Sequence, residues 1–275
     1  MTESVGNNFI LNGDLLPSDV FDNSLVYQGE SVYEVIRMVR GYPVFFSDHI
    51  IRLETSVRMQ GRRMIAGPRI LRRDLVRLSE SEDRREINLK IVFNYNGPSE
   101  NYLIYFIEPQ YPSEEQYREG VKGILFSAER ENPESKVINH ELRSSIYHRL
   151  IIEGAYEALL VNHHNCITEG SRSNIYFIKN DVLYTAPEKY ILNGITRKHI
   201  LRICDENRIK VVLSCVSADN IGEYDTVFMS GTSPIVLPFS QIDSVYLNTR
   251  HHLLGLIKDQ YLLKADESIR LFSQE

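Results

Sequence analysis

The strongest constraint on this chain is a pattern of short apolar runs that stop at turn residues and then start again. From Ser31 to Arg40, β-branched and aromatic residues alternate with polar ones, the run ends at Gly41-Tyr42-Pro43, and Val44-Phe45-Phe46 resumes. That spacing predicts a hairpin. Asn8-Phe9-Ile10-Leu11-Asn12-Gly13-Asp14 predicts a short strand entering a turn, because Asn-Gly-Asp is strong turn chemistry. Further strands are predicted over 87–95, 102–107, 121–128, 157–161, 173–178, 182–185, 210–216, 226–230 and 235–239. Helical spacing appears between them. Ser47-Asp48 precedes Ile50, Leu53 and Val57; Leu142, Ile146 and Leu150 share a stripe over 139–153 that Gly154 ends; another helix starts near Thr196, and the last covers about 250–263. Hairpins outnumber clean βαβ units, so the expected class is α+β with mixed sheets.

At 275 residues the chain suits one large domain or two ordinary ones. The polar stretch Glu108-Pro109-Gln110-Tyr111-Pro112-Ser113-Glu114-Glu115 carries two prolines and marks the boundary. The expectation is a small N-terminal α/β domain over 1–110, a linker over 111–117 and a larger mixed-sheet C-terminal domain over 118–275. No apolar run approaches the roughly 20 residues of a membrane span, and Met1 to Gly6 does not resemble a secretory signal. Cys166, Cys204 and Cys215 form an odd set without a close pair, read as reduced thiols of a cytoplasmic protein. A net charge of −6 argues against a general nucleic-acid binder.

Three turns could hold ligands. Leu192-Asn193-Gly194-Ile195-Thr196-Arg197 runs from a glycine turn into a helix, with Thr196 as its expected cap; free N–H groups and the helix dipole there favour a phosphate. Ser230-Gly231-Thr232-Ser233 follows the apolar strand Val227-Phe228-Met229 and clusters hydroxyls and N–H groups that can cradle an anion. Thr168-Glu169-Gly170-Ser171-Arg172-Ser173-Asn174 joins two apolar strands and puts the Glu169 carboxylate at a strand end, where it could pair with a cationic ring nitrogen. Taken singly, each is also what an ordinary capped helix, turn or loop looks like. Most of the nine lysines occupy polar turns or helix surfaces. Lys136, in Ser135-Lys136-Val137-Ile138-Asn139, lies beside apolar residues and a helix start, which favours a lowered pKa and Schiff-base chemistry.

In their order, these segments resemble the class IV aminotransferases, the pyridoxal-phosphate family of branched-chain and D-amino-acid aminotransferases and aminodeoxychorismate lyases. The resemblance covers nearly the whole chain. It is carried by Gly29 to Arg37, by His49-Ile50-Ile51-Arg52-Leu53, by Lys136 and Asn139, by Thr168 to Ile175, by Gly194 to Arg197, and by Phe228 to Ser233. It implies a two-domain class IV fold and a homodimer, with the site between the domains and near the subunit interface. It also implies pyridoxal 5'-phosphate as cofactor, with Lys136 as the Schiff-base lysine that moves the proton and Glu169 on the pyridine nitrogen. Arg52, the Ile195 and Thr196 backbone N–H groups and the Thr232 side chain would hold the phosphate, and Gly194, Ser173, Asn174 and His140 would be further cofactor-binding residues. Tyr33, Thr232 and Ser233 would border the substrate.

The chain departs from the family pattern in places. His140 stands where a tyrosine often bonds the cofactor's ring oxygen, and imidazole can also donate such a bond while titrating near neutrality. Asn94-Tyr95-Asn96-Gly97 lacks the arginine-glycine pair that clamps a substrate carboxylate in many D-amino-acid enzymes and lyases. The expected reaction exchanges an amino group between an amino acid, branched-chain or D-configured, and a 2-oxo acid. The alternatives are aminodeoxychorismate lyase and a non-catalytic binding protein of the same fold. Substrate side chain, stereochemistry and carboxylate contacts stay open.

Two further clusters read as surface features. Nine arginines between Arg58 and Arg85 are interleaved with acids and no aromatic residue, as on a solvated helical face. His163-His164 and His251-His252 are adjacent pairs not expected to converge on one ion, so no metal is expected. Cys166 reads as a small buried filler.

Overall fold

A computed structural model of the protein describes residues 2–130, 133–137 and 140–274. Contacts group the chain into two compact units. The first comprises Met1–Gln110, Ser135–Ile138 and Lys264–Glu275, and the second Tyr111–Glu134 and Asn139–Leu263. Lys136, expected with the C-terminal domain, groups with the first unit.

The first unit is built on β1 (Asn8–Leu11), β2 (Asp14–Pro17), α1 (Ser24–Tyr27), β3 (Glu30–Val39), β4 (Tyr42–Pro43), α2 (Phe46–Met59), α3 (Pro68–Glu80), β5 (Ile87–Asn96) and β6 (Ser99–Ile107). Its six strands pair antiparallel in the order β2-β1-β6-β5-β3-β4. The predicted 31–46 hairpin is β3–β4, with Met38 opposite Pro43. Alternation along β3 sends Val32, Ile36 and Met38 into a core shared with Ile50, Leu53 and Val57 of α2 and Leu71, Leu75 and Leu78 of α3. Full burial of each such side chain stabilises by roughly 1.5–3 kcal/mol. The arginine-rich stretch contains α3, whose Arg69, Arg73 and Arg77 face solvent.

Helix α2 starts one residue before the predicted cap. Phe45 is its N-cap, in the left-handed region at φ 53° and without a side-chain cap bond. Its N–H donates to Ser268 Oγ at 3.1 Å. Asp48 falls in the first turn, where a carboxylate complements the helix dipole.

The second unit contains α4 (Glu114–Glu119), β7 (Val121–Ser127), α5 (His140–Glu153), β8 (Glu157–Val161), β9 (Cys166–Gly170), β10 (Asn174–Lys179), β11 (Val182–Thr185), α6 (Ile195–Glu206), β12 (Val211–Leu213), β13 (Val216–Ser217), β14 (Thr226–Ser230), β15 (Leu237–Ile242) and β16 (Val245–Tyr246). Its strands run β12-β11-β10-β14-β15-β7-β8-β9-β13, with β16 on β15. The β7–β8, β7–β15 and β11–β12 pairs are parallel, so the sheet is mixed. The predicted strand over 210–216 is two strands, β12 beside β11 and β13 beside β9. The strand predicted from Ile235 begins at Leu237, because Ile235 sits at φ 55°, where a β-branched residue cannot join a ladder.

The C-terminal helix α7 (His252–Gln274) outruns its predicted end by three turns. Leu253, Ile257, Tyr261, Ala265 and Ile269 continue one buried stripe at four-residue spacing. Its residues to Leu263 belong to the second unit and those from Lys264 to the first.

Candidate active site

In the first unit, the segment around Lys136 lies along the open edge of β3. The Tyr33 N–H donates to the Lys136 carbonyl at 3.2 Å, and Val137 bridges Val32. The Lys136 N–H donates to Ser56 Oγ at 3.3 Å, and Gln60 Nε2 donates to Ser135 Oγ at 3.0 Å. Sheet edge and α2 therefore fix the backbone on both sides of a half-buried lysine. Its Nζ lies 5.2 Å from the centroid of the Tyr33 ring.

On the opposite face of β3, Glu34 is fully buried. Arg52 donates to it from Nε at 2.7 Å and from Nη2 at 2.6 Å, and His49 Nδ1 donates at 2.8 Å. Burial alone would raise the Glu34 pKa. The charges of Arg52 and Lys136 and the Arg52 bonds outweigh it and hold the carboxyl far below the usual range. Burial pushes His49 below the ordinary histidine value, with Glu34 pulling the other way. Arg52, expected to hold phosphate, is thus already the counter-charge of a buried carboxylate. The carboxylate was a motif residue whose partner the sequence did not show.

Lys90 is an exception to the expectation that most lysines lie in polar turns or on helix surfaces. It is 2% exposed, its Nζ donates to Glu3 at 2.6 Å, and it sits 5.2 Å from the Tyr33 ring centroid. Two ammonium groups, those of Lys90 and Lys136, therefore each lie 5.2 Å from the Tyr33 ring centroid.

In the second unit, Glu169 is the penultimate residue of β9, at the strand end expected for it, and the turn is Ser171–Ser173. Its carboxylate is buried. Oε2 accepts the Leu192 N–H at 3.0 Å, and Oε1 is 3.5 Å from Arg130 Nη1. Burial raises the Glu169 pKa, with Arg130 and the Leu192 bond opposing it. Asn174 Nδ2 donates to the Leu192 carbonyl at 2.9 Å, so Leu192 is held through both backbone groups. A Cβ on Gly194 would lie 2.2 Å from Asn174 Oδ1, so any larger residue here must displace the Asn174 side chain.

Thr196 is not the cap. Gly194 is the N-cap of α6, with Ile195 and Thr196 in its first turn. A capping residue without a side chain leaves the helix N–H groups open to an anion. Thr196 Oγ1 lies 3.5 Å from the Tyr261 hydroxyl. Thr232 and Ser233 follow β14, whose Ser230 pairs with Asn174, so this turn lies at the same sheet end as Asn174. Ser173 donates its hydroxyl to Glu157 at 2.8 Å. Asn139 and the His140 side chain lie outside the described residues.

His163 pairs with Glu129 at 2.8 Å, and Cys166 is half-buried rather than buried. His251 and His252 do converge. Their rings stack at 4.7 Å, and each Nε2 lies 3.5 Å from Asp181 Oδ1. These three groups form a cluster with metal-ligand atoms within 4.8 Å of one another. The Leu253 N–H donates to His251 Nδ1, which leaves the neutral ring's proton on Nε2, facing Asp181.

The donor set fits a pyridine ring carrying a phosphate. Glu169 is a buried carboxylate with raised proton affinity, suited to a ring N–H. A Cβ-free cap opens α6, suited to the phosphate.

Residues 31–242 match the family model described as amino-transferase class IV. The D-alanine aminotransferase of Bacillus licheniformis is 30% identical over 227 residues, covering 78% of this chain and 80% of that protein. Among solved structures, the branched-chain aminotransferase of Thermoproteus uzoniensis with norvaline superposes with a TM-score of 0.84 at 23% identity, over 97% of this chain and 98% of that one. The branched-chain aminotransferase of Escherichia coli gives a TM-score of 0.80 at 22% identity, over 93% of each chain.

Proposed function

The chain belongs to the class IV aminotransferase family and is a pyridoxal-phosphate-dependent transaminase, and on that premise we propose that Lys136 is its cofactor lysine and Glu169 the partner of the pyridine nitrogen. The observation that supports this reading most is the state of Glu169. It is a buried carboxylate of raised proton affinity, with one oxygen on the Leu192 N–H and the other facing a cation at 3.5 Å. Such a group is suited to holding a proton in common with a ring nitrogen.

Pyridoxal phosphate, when bound, supplies an electron sink for the bonds at the substrate α-carbon. The chain's own residues do the rest. Lys136 carries the cofactor through its ε-amine. The same amine, when free, would serve as the base and acid that moves the substrate α-carbon proton. Tyr33 covers this amine with its ring and borders the substrate. Glu34 holds Arg52 through two hydrogen bonds, which would present the guanidinium to the phosphate in one orientation. Ile195 and Thr196 offer first-turn N–H groups, and Thr232 its hydroxyl. Asn174 positions the Leu192–Gly194 turn, and His140 and Ser233 border cofactor and substrate.

The substrates we propose are a D-amino acid and a 2-oxo acid, in line with the name of the 30% identical relative. We further place the protein in the cytoplasm, as a homodimer. Among the described residues no helix is long and apolar enough to cross a membrane, and all three cysteines are unbridged.

The test is the absorption spectrum of the protein with added pyridoxal phosphate before and after borohydride, followed by peptide mapping. A stable adduct on Lys136 is expected. An adduct on another lysine, or none, overturns the assignment. Turnover of D-alanine with 2-oxoglutarate, against the L-amino acids, then tests the substrate.

A further inference from the structure

Glu157, at the start of β8, is a carboxylate with no exposed surface that none of the roles above uses. Its Oε1 accepts from the Ala158 N–H at 2.9 Å, the Ser171 N–H at 3.1 Å and the Ser171 hydroxyl at 2.5 Å. Its Oε2 accepts from the Ser173 hydroxyl at 2.8 Å. Three of the four donors belong to the turn that follows Glu169. A buried charge is tolerated when its lone pairs are filled, so the carboxylate and the turn hold each other.

The arrangement leaves no slack. A Cβ on Gly170 would lie 2.1 Å from Ser173 Oγ and 3.1 Å from Glu157 Cδ. The Ser171 N–H also reaches the Ala158 carbonyl at 2.8 Å, and Gly170 pairs with Leu159. Only Gly170 separates Glu169 from this locked turn, and the far end of the Glu169 side chain is held by Leu192.

We infer that Glu157 is a positioning residue for Glu169: by binding the Ser171–Ser173 turn it directs the Glu169 side chain toward the pyridine nitrogen. The inference rests on the role of Glu169 proposed above. The charged groups facing the pair are Arg130, 3.5 Å from Glu169, and Arg172, whose Nε lies 3.9 Å from Glu157. Burial dominates the raised proton affinity of Glu169; Arg130 opposes it, and Glu157 adds to it.

Glu157→Gln keeps the size and an acceptor oxygen but removes the charge. The readout is the pH titration of the bound cofactor's absorption band, taken with kcat, KM and the melting of the cofactor-free protein. The expected result is a band midpoint lowered by roughly half a pH unit to one unit, as for the loss of one nearby like charge, with kcat reduced and KM little changed. Glu157→Asp keeps the charge on a shorter arm; its midpoint should stay with the wild type while kcat falls, and it serves if the glutamine variant does not fold. A Glu157→Gln protein that binds cofactor with an unmoved midpoint, or a Glu157→Asp midpoint that moves as far as expected for glutamine, overturns the inference. If Glu169→Gln also leaves the band's titration unmoved, the role of Glu169 fails with it. If Glu169→Gln moves the band and Glu157→Gln does not, only the positioning role fails.

Discussion

Glu34 receives two hydrogen bonds from one guanidinium, Arg52 Nε at 2.7 Å and Nη2 at 2.6 Å, while the carboxylate itself is closed to solvent. Removing Arg52 strands a buried charge and, under the role proposed for it, would also take a ligand from the cofactor phosphate.

Arg52→Ala should cost about 3–5 kcal/mol, the usual effect of stranding one partner of a buried pair. Cofactor affinity should fall with it. Adding Glu34→Gln should recover much of the stability and none of the affinity. Denaturant unfolding of the two single variants and the double variant measures the coupling. Additive losses would show that the two side chains act independently.

Acid should destabilise the protein in two stages. His49 is held below its ordinary pKa, so the unfolded chain binds its proton more readily; that contribution is present above about pH 6.5 and is lost as pH falls. Glu34 is also depressed, so its contribution is present above about pH 4.3 and is lost below it. Melting temperature against pH should decline through both windows. Glu34→Gln should remove the lower one, and a curve of unchanged shape would count against the buried pair.

Glu169→Gln should separate stability from function. The folded-state pKa of Glu169 is raised, so its stabilising contribution is present below the ordinary carboxylate value and is lost as pH rises. At neutral pH the cofactor-free glutamine variant should melt at or above the wild type, and the difference should vanish near pH 4. Turnover with cofactor should drop by roughly a hundredfold or more, on the scale of losing an electrostatic partner. A less stable variant with normal turnover would contradict both statements.

Gly194→Ala should disturb the cofactor site through one atom. The new Cβ would meet Asn174 Oδ1 at 2.2 Å and must push apart the Asn174–Leu192 contact. Titration with pyridoxal phosphate should show affinity lowered about tenfold, equivalent to the roughly 1.4 kcal/mol of one lost hydrogen bond. Gly61→Ala meets no atom within 4 Å and serves as the control for a glycine change without a clash.

Local pattern made much of the fold legible. The strand predicted over 157–161 is β8, the stripe of Leu142, Ile146 and Leu150 lies on α5, and the 31–46 hairpin is β3–β4. Each is written in the period of neighbouring residues, which one stretch of chain carries by itself. Helix starts were read one residue or more late, at Ser47-Asp48 and Thr196. The residues at those N-caps, Phe45 and Gly194, have no side chain suited to capping. The break in 210–216 depends on which strand lies alongside, and the late start of β15 on the left-handed backbone at Ile235; no local period records either.

Of the candidate site, the residue types and their order were in the sequence by itself: a lysine before a helix, a glutamate among small residues, a glycine turn into a helix. Only the tertiary structure decided which of their charges are already matched. Arg52 is joined to Glu34 across 18 residues, Lys90 to Glu3 across 87, and Ser173 to Glu157 across 16. Asp181 reaches His251 and His252 in the same way. The physical reason is that periodicity is a property of adjacent residues, whereas the strength of a charge depends on burial and on partners within a few ångströms, and both are set by strands and helices distant in the chain.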